Sequence, residues 1–306
     1  MIVVNSLFPI FILVGLGRIL KTSGFIQDEF FKTSDKLVYF IFFPAMLFWK
    51  ISQNSAQGAI DMALPLAALT AVLITFILST LFILTEHVSD YEAGSFSQSC
   101  YRFNTYIGMA IMVTVLDDQS VLLFGILIGF AIPVINVLSV SILIWFSANQ
   151  YNPAQRLRHL ALAIISNPLI LACCLGIGVY ALNIRFPAYI NNTFRLLSMV
   201  TLPMALLSIG SDFSLKNLKG HLKLSVISSL FKLLFLPVVG FYCLKWFHVK
   251  GPGVTVGMIF FCLPTSTAIY VLSSQMGSDT RLASASIVFS TLVSMISLTW
   301  VLIFVG

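Results

Sequence analysis

The feature that most constrains this chain is a long uncharged run, from Gly253 to Gly277, with a proline near its middle. The run is long enough to cross a bilayer as a helix, because a span needs about 20 apolar residues. Pro264 removes one backbone donor and clashes with the preceding turn, so we expect the helix to break there. A broken backbone at that depth usually lines a cavity within the protein, because lipid cannot satisfy the freed backbone groups. Three hydroxyl residues follow, which could contact a solute or could bond back to the helix: Thr265, Ser266 and Thr267.

A second interrupted segment lies in the first half of the chain, between Gly94 and Leu116. It carries Asn104, Thr105 and Gly108 within a sequence otherwise apolar enough to enter the membrane. We expect the helix to loosen at Gly108, and an asparagine is costly in lipid without a hydrogen-bond partner. Two interrupted spans at corresponding positions of two halves are typical of a carrier's binding site. The pairing therefore favours a binding site at the two breaks over the alternative of two kinked packing helices.

Composition places the chain among polytopic membrane proteins. Hydrophobic residues make up 58% of its 306 residues and charged residues only 9%, which excludes an ordinary soluble domain. Hydropathy predicts ten transmembrane helices and leaves little chain for a separate soluble domain. The predicted spans are 2–20, 33–51, 60–84, 95–116, 121–146, 160–182, 195–212, 223–244, 253–275 and 282–305.

Lysine and arginine residues in the loops predict the orientation, because cytoplasmic loops carry an excess of both. The odd-numbered loops hold twice as many as the even-numbered loops. We therefore expect the odd loops in the cytoplasm and both termini outside, in the cell membrane. The odd loops carry Arg18, Lys21, Lys32, Lys36, Arg156, Arg158, Lys216, Lys219, Lys223 and Arg281, and the even loops carry Lys50, Arg185, Arg195, Lys245 and Lys250.

The sequence contains no motif for enzymatic chemistry. It has no glycine-rich phosphate loop, no nucleophile elbow and no zinc-protease motif. Its five cysteines and four histidines show no metal-ligand spacing. We therefore expect no enzyme activity, no cofactor and no metal. The net charge of +6 follows mostly from the loop bias, so we expect no nucleic-acid partner.

The chain divides into two halves, 1–146 and 160–306, joined by a cytoplasmic linker at 147–159. Each half has five predicted spans, an odd number, so the second half enters the membrane with the opposite orientation, as an inverted repeat requires. Weak internal echoes support the repeat. Pro44 in span two matches Pro203 in span seven, and spans four and nine are the interrupted pair.

These motifs resemble the auxin efflux carrier family of secondary transporters, which includes plant auxin exporters and bacterial carriers of malate and malonate. The resemblance covers most of both halves, through LFPIFILVGLGRIL, LVYFIFFPAMLFWKIS, RFNTYIGM, SNPLILACCLGIG, LSMVTLPMALLSIGSDFSL and LPTSTAIYVLSSQMGSDTRLASASIVFSTLVS. It implies an all-α fold of ten spans in two inverted five-helix repeats, with spans four and nine crossing at their breaks as in the sodium–proton antiporter type. It also implies a scaffold of spans 1, 2, 6 and 7, a transport domain of spans 3–5 and 8–10, elevator-like movement and a homodimer.

The chain departs from the family pattern in span four. The family often has a proline shortly after the N-T-x-x-G motif, where this chain has Met109, Ala110 and Ile111. Alanine supplies no backbone reason for a sharp break. We therefore expect the crossover to be better defined in span nine than in span four.

Charges within the spans favour an anionic substrate. No Asp or Glu lies in the middle of a predicted span, although a buried carboxylate is the usual relay for a coupled ion. Lys232, near the centre of span eight, is a functional candidate, and the alternative is a structural cation that snorkels or bonds backbone carbonyls. Arg102 precedes Asn104 in the broken span, and the alternative is that it marks the cytoplasmic end of that span. The positive ends of the half-helices add to the attraction for an anion.

The sequence therefore predicts a secondary transporter that moves a small organic anion, such as a mono- or dicarboxylate, by efflux or exchange. One alternative is a sodium-coupled symporter of the bile acid carrier type, which the missing carboxylates disfavour. Another is a membrane receptor or sensor that binds a ligand without moving it, and the absence of an attached signalling domain disfavours it.

Overall fold

A computed structural model describes residues 2–53, 62–86, 88–146, 167–182, 184–212 and 218–304, and all regular structure within these ranges is helical. Five of the described helices are long and apolar enough to cross a membrane: Ala63–Thr85, Asp118–Trp145, Ala188–Ser211, Gly220–Trp246 and Thr280–Phe304. The chain is therefore an all-helical, polytopic membrane protein. The predicted linker at 147–159, with Arg156, lies outside the described residues.

The helices follow the predicted spans in chain order. In the first half they are α1 (Ile2–Thr22), α2 (Asp28–Leu37), α3 (Phe43–Ser52), α4 (Ala63–Thr85), α5 (Asp90–Tyr101), α6 (Thr105–Val115) and α7 (Asp118–Trp145). In the second half they are α8 (Pro168–Ala181), α9 (Ala188–Ser211), α10 (Leu218–Leu230), α11 (Leu236–Trp246), α12 (Pro252–Cys262), α13 (Ala268–Gln275) and α14 (Thr280–Phe304). A π-helical turn, Val38–Phe42, joins α2 to α3, and another, Phe231–Phe235, joins α10 to α11.

The described residues form two compact units, and the first contains α1 to α3, α8 and α9. It comprises Met1–Ile60, Met109–Phe130 and Ile165–Phe213. Within it α1 packs directly on α9, because a side chain at Gly17 would overlap the carbonyl of Leu207, and one at Gly210 would overlap the carbonyl of Val14. Small residues at such positions let two membrane helices approach through their backbones.

The second unit contains α4, α5 and α10 to α14, and it comprises Asp61–Gly108, Ala131–Ile164 and Ser214–Gly306. Here, too, glycine permits the closest packing. A side chain at Gly240 of α11 would overlap the ring of Phe261 in α12, and one at Gly257 of α12 would press on Leu244 of α11. This packing fixes the carboxyl-terminal end of α12, where the uncharged run is interrupted.

Both halves of the chain repeat one order of elements: a half-helix, a break, a second half-helix, a capping aspartate and a long helix. Asp117 Oδ1 accepts a hydrogen bond of 2.9 Å from the Ser120 N–H at the start of α7. Asp279 Oδ1 accepts bonds of 2.8 and 3.0 Å from the Arg281 and Leu282 N–H groups at the start of α14. The side-chain and backbone hydrogen bonds from Ser120 lower the pKa of Asp117, which keeps that cap ionised. The repeated order is what an internal structural repeat produces.

Candidate functional site

The first break lies at Arg102–Asn104, between α5 and α6. The prediction that this helix loosens at Gly108 is wrong, because Gly108 lies inside α6, where its N–H bonds the Asn104 carbonyl at 3.0 Å. Asn104 sets the start of α6 by capping it: its Oδ1 accepts hydrogen bonds of 3.1 Å from both the Tyr106 and Ile107 N–H groups. Asparagine is among the best N-cap residues. The break therefore needs no proline, and Ala110 does not prevent it.

The second break follows Cys262, where α12 ends, and it continues until α13 begins at Ala268. Leu263 is extended, with φ −63° and ψ 145°, which is the conformation that a following proline favours. Pro264 thus lies within the interruption. The Ser266 hydroxyl oxygen then accepts a bond of 3.3 Å from the Ala268 N–H and so helps to start α13.

The two breaks are hydrogen-bonded to each other. The Asn104 N–H donates to the Pro264 carbonyl at 2.9 Å, and the Thr265 hydroxyl donates to the Ser99 carbonyl of α5 at 2.7 Å. The Thr265 N–H donates in turn to Ser290 Oγ of α14 at 3.1 Å. Backbone groups freed at a break must find such partners, because lipid offers none. Thr265 is therefore engaged in joining the breaks.

Lys232 binds the end of α12. It lies in the π-helical turn between α10 and α11 with 0% of its surface exposed, and its Nζ donates to the Phe261 carbonyl at 2.9 Å. Beside it, the Ser297 hydroxyl donates to the Cys262 carbonyl at 3.2 Å. The last carbonyls of a helix lack intrahelical partners and carry partial negative charge. The ammonium group thus compensates the negative end of α12, as the structural alternative for Lys232 requires.

Arg102 is buried at the first break. The alternative that it marks the cytoplasmic end of its span is wrong, because the residue follows α5 and precedes α6, with 7% of its surface exposed. Its Nη2 donates to Asn136 Oδ1 of α7 at 3.1 Å, and its Nη1 lies 3.4 Å from Gln98 Oε1. Both partners are neutral amides, so they orient the guanidinium group without cancelling its charge.

The accessible surface of the two breaks lies at the starts of the second half-helices. Thr105 of α6 is partly exposed, as are Ser266, Thr267 and Ala268 around the start of α13. Asn104 itself is 1% exposed, and its Nδ2 group has no hydrogen-bond partner among the described residues. Helix starts present N–H groups and partial positive charge, which together favour an anion. The arrangement can therefore hold a small acidic molecule.

Sequence reasoning missed the partners that complete these breaks. They are Gln98 and Ser99 of α5 and Ser290 and Ser297 of α14. One signal was present, because Ser286, Ser290, Ser294 and Ser297 recur every three or four residues along α14, which places them on one helix face. Such a stripe indicates a polar contact but does not identify its partner.

Comparison with known proteins gives the chain a context. A family model described as "Membrane transport protein" matches residues 2–302. An uncharacterized transporter of Methanocaldococcus jannaschii is 22% identical over 99% of this chain and 100% of its own length. A Rhizobium meliloti protein, provisionally named as a malonate transporter, is 22% identical over 98% of this chain and 95% of its own length.

Proposed function

The chain belongs to the membrane transport protein family, as its resemblance to the auxin efflux carriers implied, and on that premise we propose that it is a secondary transporter of a small organic anion. Membership of the family makes transport across a membrane its activity. The proposal adds the class of the substrate, the position of the binding site and the way in which the site becomes accessible from each side.

The observation that carries the substrate class is the unpartnered Nδ2 group of Asn104. A buried N–H group without an acceptor costs about 1–3 kcal/mol, and Asn104 Oδ1 is held by α6, which fixes the direction of the amide. A carboxylate would supply the missing acceptor. It would at the same time meet the positive ends of α6 and α13.

We place the substrate against Asn104, Thr105, Ser266 and Thr267. Gly108 and Thr265 support these contacts, Gly108 within α6 and Thr265 through its bonds across the breaks. The cationic groups of Arg102 and Lys232 contribute positive potential, which favours a mono- or dicarboxylate. The name of the Rhizobium meliloti relative, which specifies malonate, is compatible with a dicarboxylate.

We further propose that the second unit is a transport domain and the first a scaffold, within ten spans arranged as two inverted five-helix repeats. The first unit holds α1 to α3, α8 and α9, whereas both breaks join within the second. A substrate held by one unit can cross by movement of that unit, which is elevator-like alternating access. The proposal includes a homodimer in the cell membrane, with both termini outside the cytoplasm and with efflux or exchange as the direction.

A sodium-coupled symporter is the less favoured mechanism. Carbonyls at the ends of half-helices are typical sodium ligands in transporters. Here the Phe261 carbonyl at the end of α12 accepts a hydrogen bond from Lys232, so a fixed ammonium group already lies where a sodium ion would be held.

Flux measurements in proteoliposomes test the proposal. Liposomes loaded with unlabelled malonate or malate and diluted into a labelled carboxylate should accumulate label in an exchange that needs no sodium. Protein-free liposomes and an uncharged analogue, the diamide of the acid, are the controls. Binding without flux would indicate a receptor, and strict dependence on sodium would favour the symporter.

A further inference from the structure

Three helices of the second unit bring an imidazole and two carboxylates together, away from the breaks. Glu92 lies in the first turn of α5, His221 in the first turn of α10, and Asp279 directly before α14. His221 Nδ1 is 3.9 Å from Glu92 Oε1 and 3.8 Å from Asp279 Oδ2. The three atoms all lie within 4.8 Å of one another. We call these residues the Glu92–His221–Asp279 cluster.

Each carboxylate of the cluster fixes one oxygen and presents the other. Asp279 Oδ1 caps α14 through the N–H groups of Arg281 and Leu282, and Glu92 Oε2 accepts a hydrogen bond from the Ser89 hydroxyl. The remaining oxygens, Oδ2 and Oε1, make no hydrogen bond within the described residues, yet both face the same imidazole nitrogen. Hydrogen bonds that orient ligands from behind are typical of metal sites.

The spacing within the cluster is too long for direct hydrogen bonds and suits an ion between the groups. Protein hydrogen bonds of this kind span about 2.7–3.2 Å. Ligands about 2.1 Å from a tetrahedral zinc ion lie about 3.4 Å apart, so a small contraction of the cluster would complete the geometry. The side chain of Asp279 is only 6% exposed. Two ionised carboxylates beside a neutral imidazole carry the charge that one divalent cation balances, and buried charges require such pairing.

We propose that the Glu92–His221–Asp279 cluster is a binding site for a first-row divalent cation such as zinc, with water completing the coordination. One histidine and two carboxylates form a nitrogen and oxygen ligand set suited to these ions. The site would link α10 to α5 and α14, which are already joined to each other by the Asp279 N–H and the Tyr91 carbonyl at 2.9 Å. Its contribution is to tie the start of α10, where His221 departs from helical geometry with φ −122° and ψ 18°. The inference does not depend on the proposed substrate.

Zinc titration of the tag-free, metal-stripped protein tests the site. Calorimetry should show one equivalent per chain, and zinc should raise the melting temperature, because a ligand of the folded state stabilises it. The substitutions Glu92→Gln, His221→Gln and Asp279→Asn should each weaken zinc binding at least tenfold, since loss of even an outer partner typically costs 10–100-fold. His248→Gln, at a loop histidine outside the cluster, is the matched control and should bind zinc as the parent does.

The substitutions are chosen to preserve the fold. Asparagine at 279 keeps an oxygen that can cap α14, and glutamine at 92 still fits a capping box. Melting temperatures in chelator identify the variants that fold normally, and those variants decide the test. Zinc binding that is absent from the parent, or equal in all variants, overturns the proposal. A cluster that stabilises the protein only below neutral pH, with no response to zinc, would be an ion pair of protonated His221 and would also overturn it.

Discussion

The backbone N–H of Asn104 donates a 2.9 Å hydrogen bond to the carbonyl oxygen of Pro264, so two residues far apart in the chain join the two breaks through their main chains. This bond does not involve the asparagine side chain. The side chain instead caps α6 through Oδ1 and leaves Nδ2 without a partner among the described residues. Substitutions at this position can therefore separate substrate binding from the integrity of the breaks.

Asn104→Asp should weaken carboxylate binding at least tenfold while the protein remains folded. Aspartate keeps an oxygen that caps α6, but it replaces the free N–H group with a negative charge beside the proposed anion. Asn104→Ala should also abolish binding, with an added loss of about 1 kcal/mol from the missing cap. Calorimetry and thermal melting measure both effects.

Asn191→Ala is the control for these variants. Asn191 accepts a hydrogen bond of 3.1 Å from Trp49 Nε1 within the first unit, so its loss should lower stability and leave affinity intact. Unchanged carboxylate affinity in a well-folded Asn104→Asp protein would remove Asn104 from the site.

Thr265→Val should destabilise the protein by about 1–3 kcal/mol, because the Ser99 carbonyl loses its hydroxyl donor in a buried position. Valine has nearly the shape of threonine, so packing is preserved. Thr267→Val is the matched variant at a partly exposed position, and it should reduce substrate affinity more than stability. Comparison of melting temperature and affinity for both variants checks the division of roles, and the reverse pattern would contradict it.

Local chemistry explains how much of this arrangement the sequence could predict. Pro264 acts on its own backbone, so the break in the uncharged run could be inferred from one residue. The first break depends on Asn104 as a cap and on Arg102 held by Asn136 of α7, and a residue's tertiary partner is not visible in its local sequence. Gly108 was therefore assigned the wrong role.

The Glu92–His221–Asp279 cluster shows the same limit. The histidines have no metal-ligand spacing along the chain, which led to the expectation of no metal site. The cluster arises because the first turns of α5 and α10 and the residue before α14 meet in space. Long-range packing places those ligands, so no count of sequence intervals could have found them.

Both termini should be extracytoplasmic, with Arg156 on the cytoplasmic side, as the loop charges predict. The meeting of Glu92, His221 and Asp279 supports this topology, because the loops that carry them are all odd-numbered. Single cysteines at Ser89 and at Lys250, in a background without other cysteines, should react from opposite sides of intact cells. Labelling of both from the same side would mean that the spans have been miscounted.

Lys232→Gln should both lower the melting temperature and weaken anion binding at least tenfold. The melting temperature falls because the Phe261 carbonyl loses a fully buried charged donor 2.9 Å away, and hydrogen bonds to charged groups contribute about 1.5–3 kcal/mol. Affinity falls because the fixed cation of the second unit is gone while the substrate's charge remains. Lys232→Arg should restore affinity only in part, since the planar guanidinium is larger than an ammonium. Ser297→Ala is the matched control: it removes a neutral donor from the adjacent Cys262 carbonyl, so it should lower the melting temperature alone. Normal affinity in a less stable Lys232→Gln protein would show that Lys232 serves the fold and not the substrate.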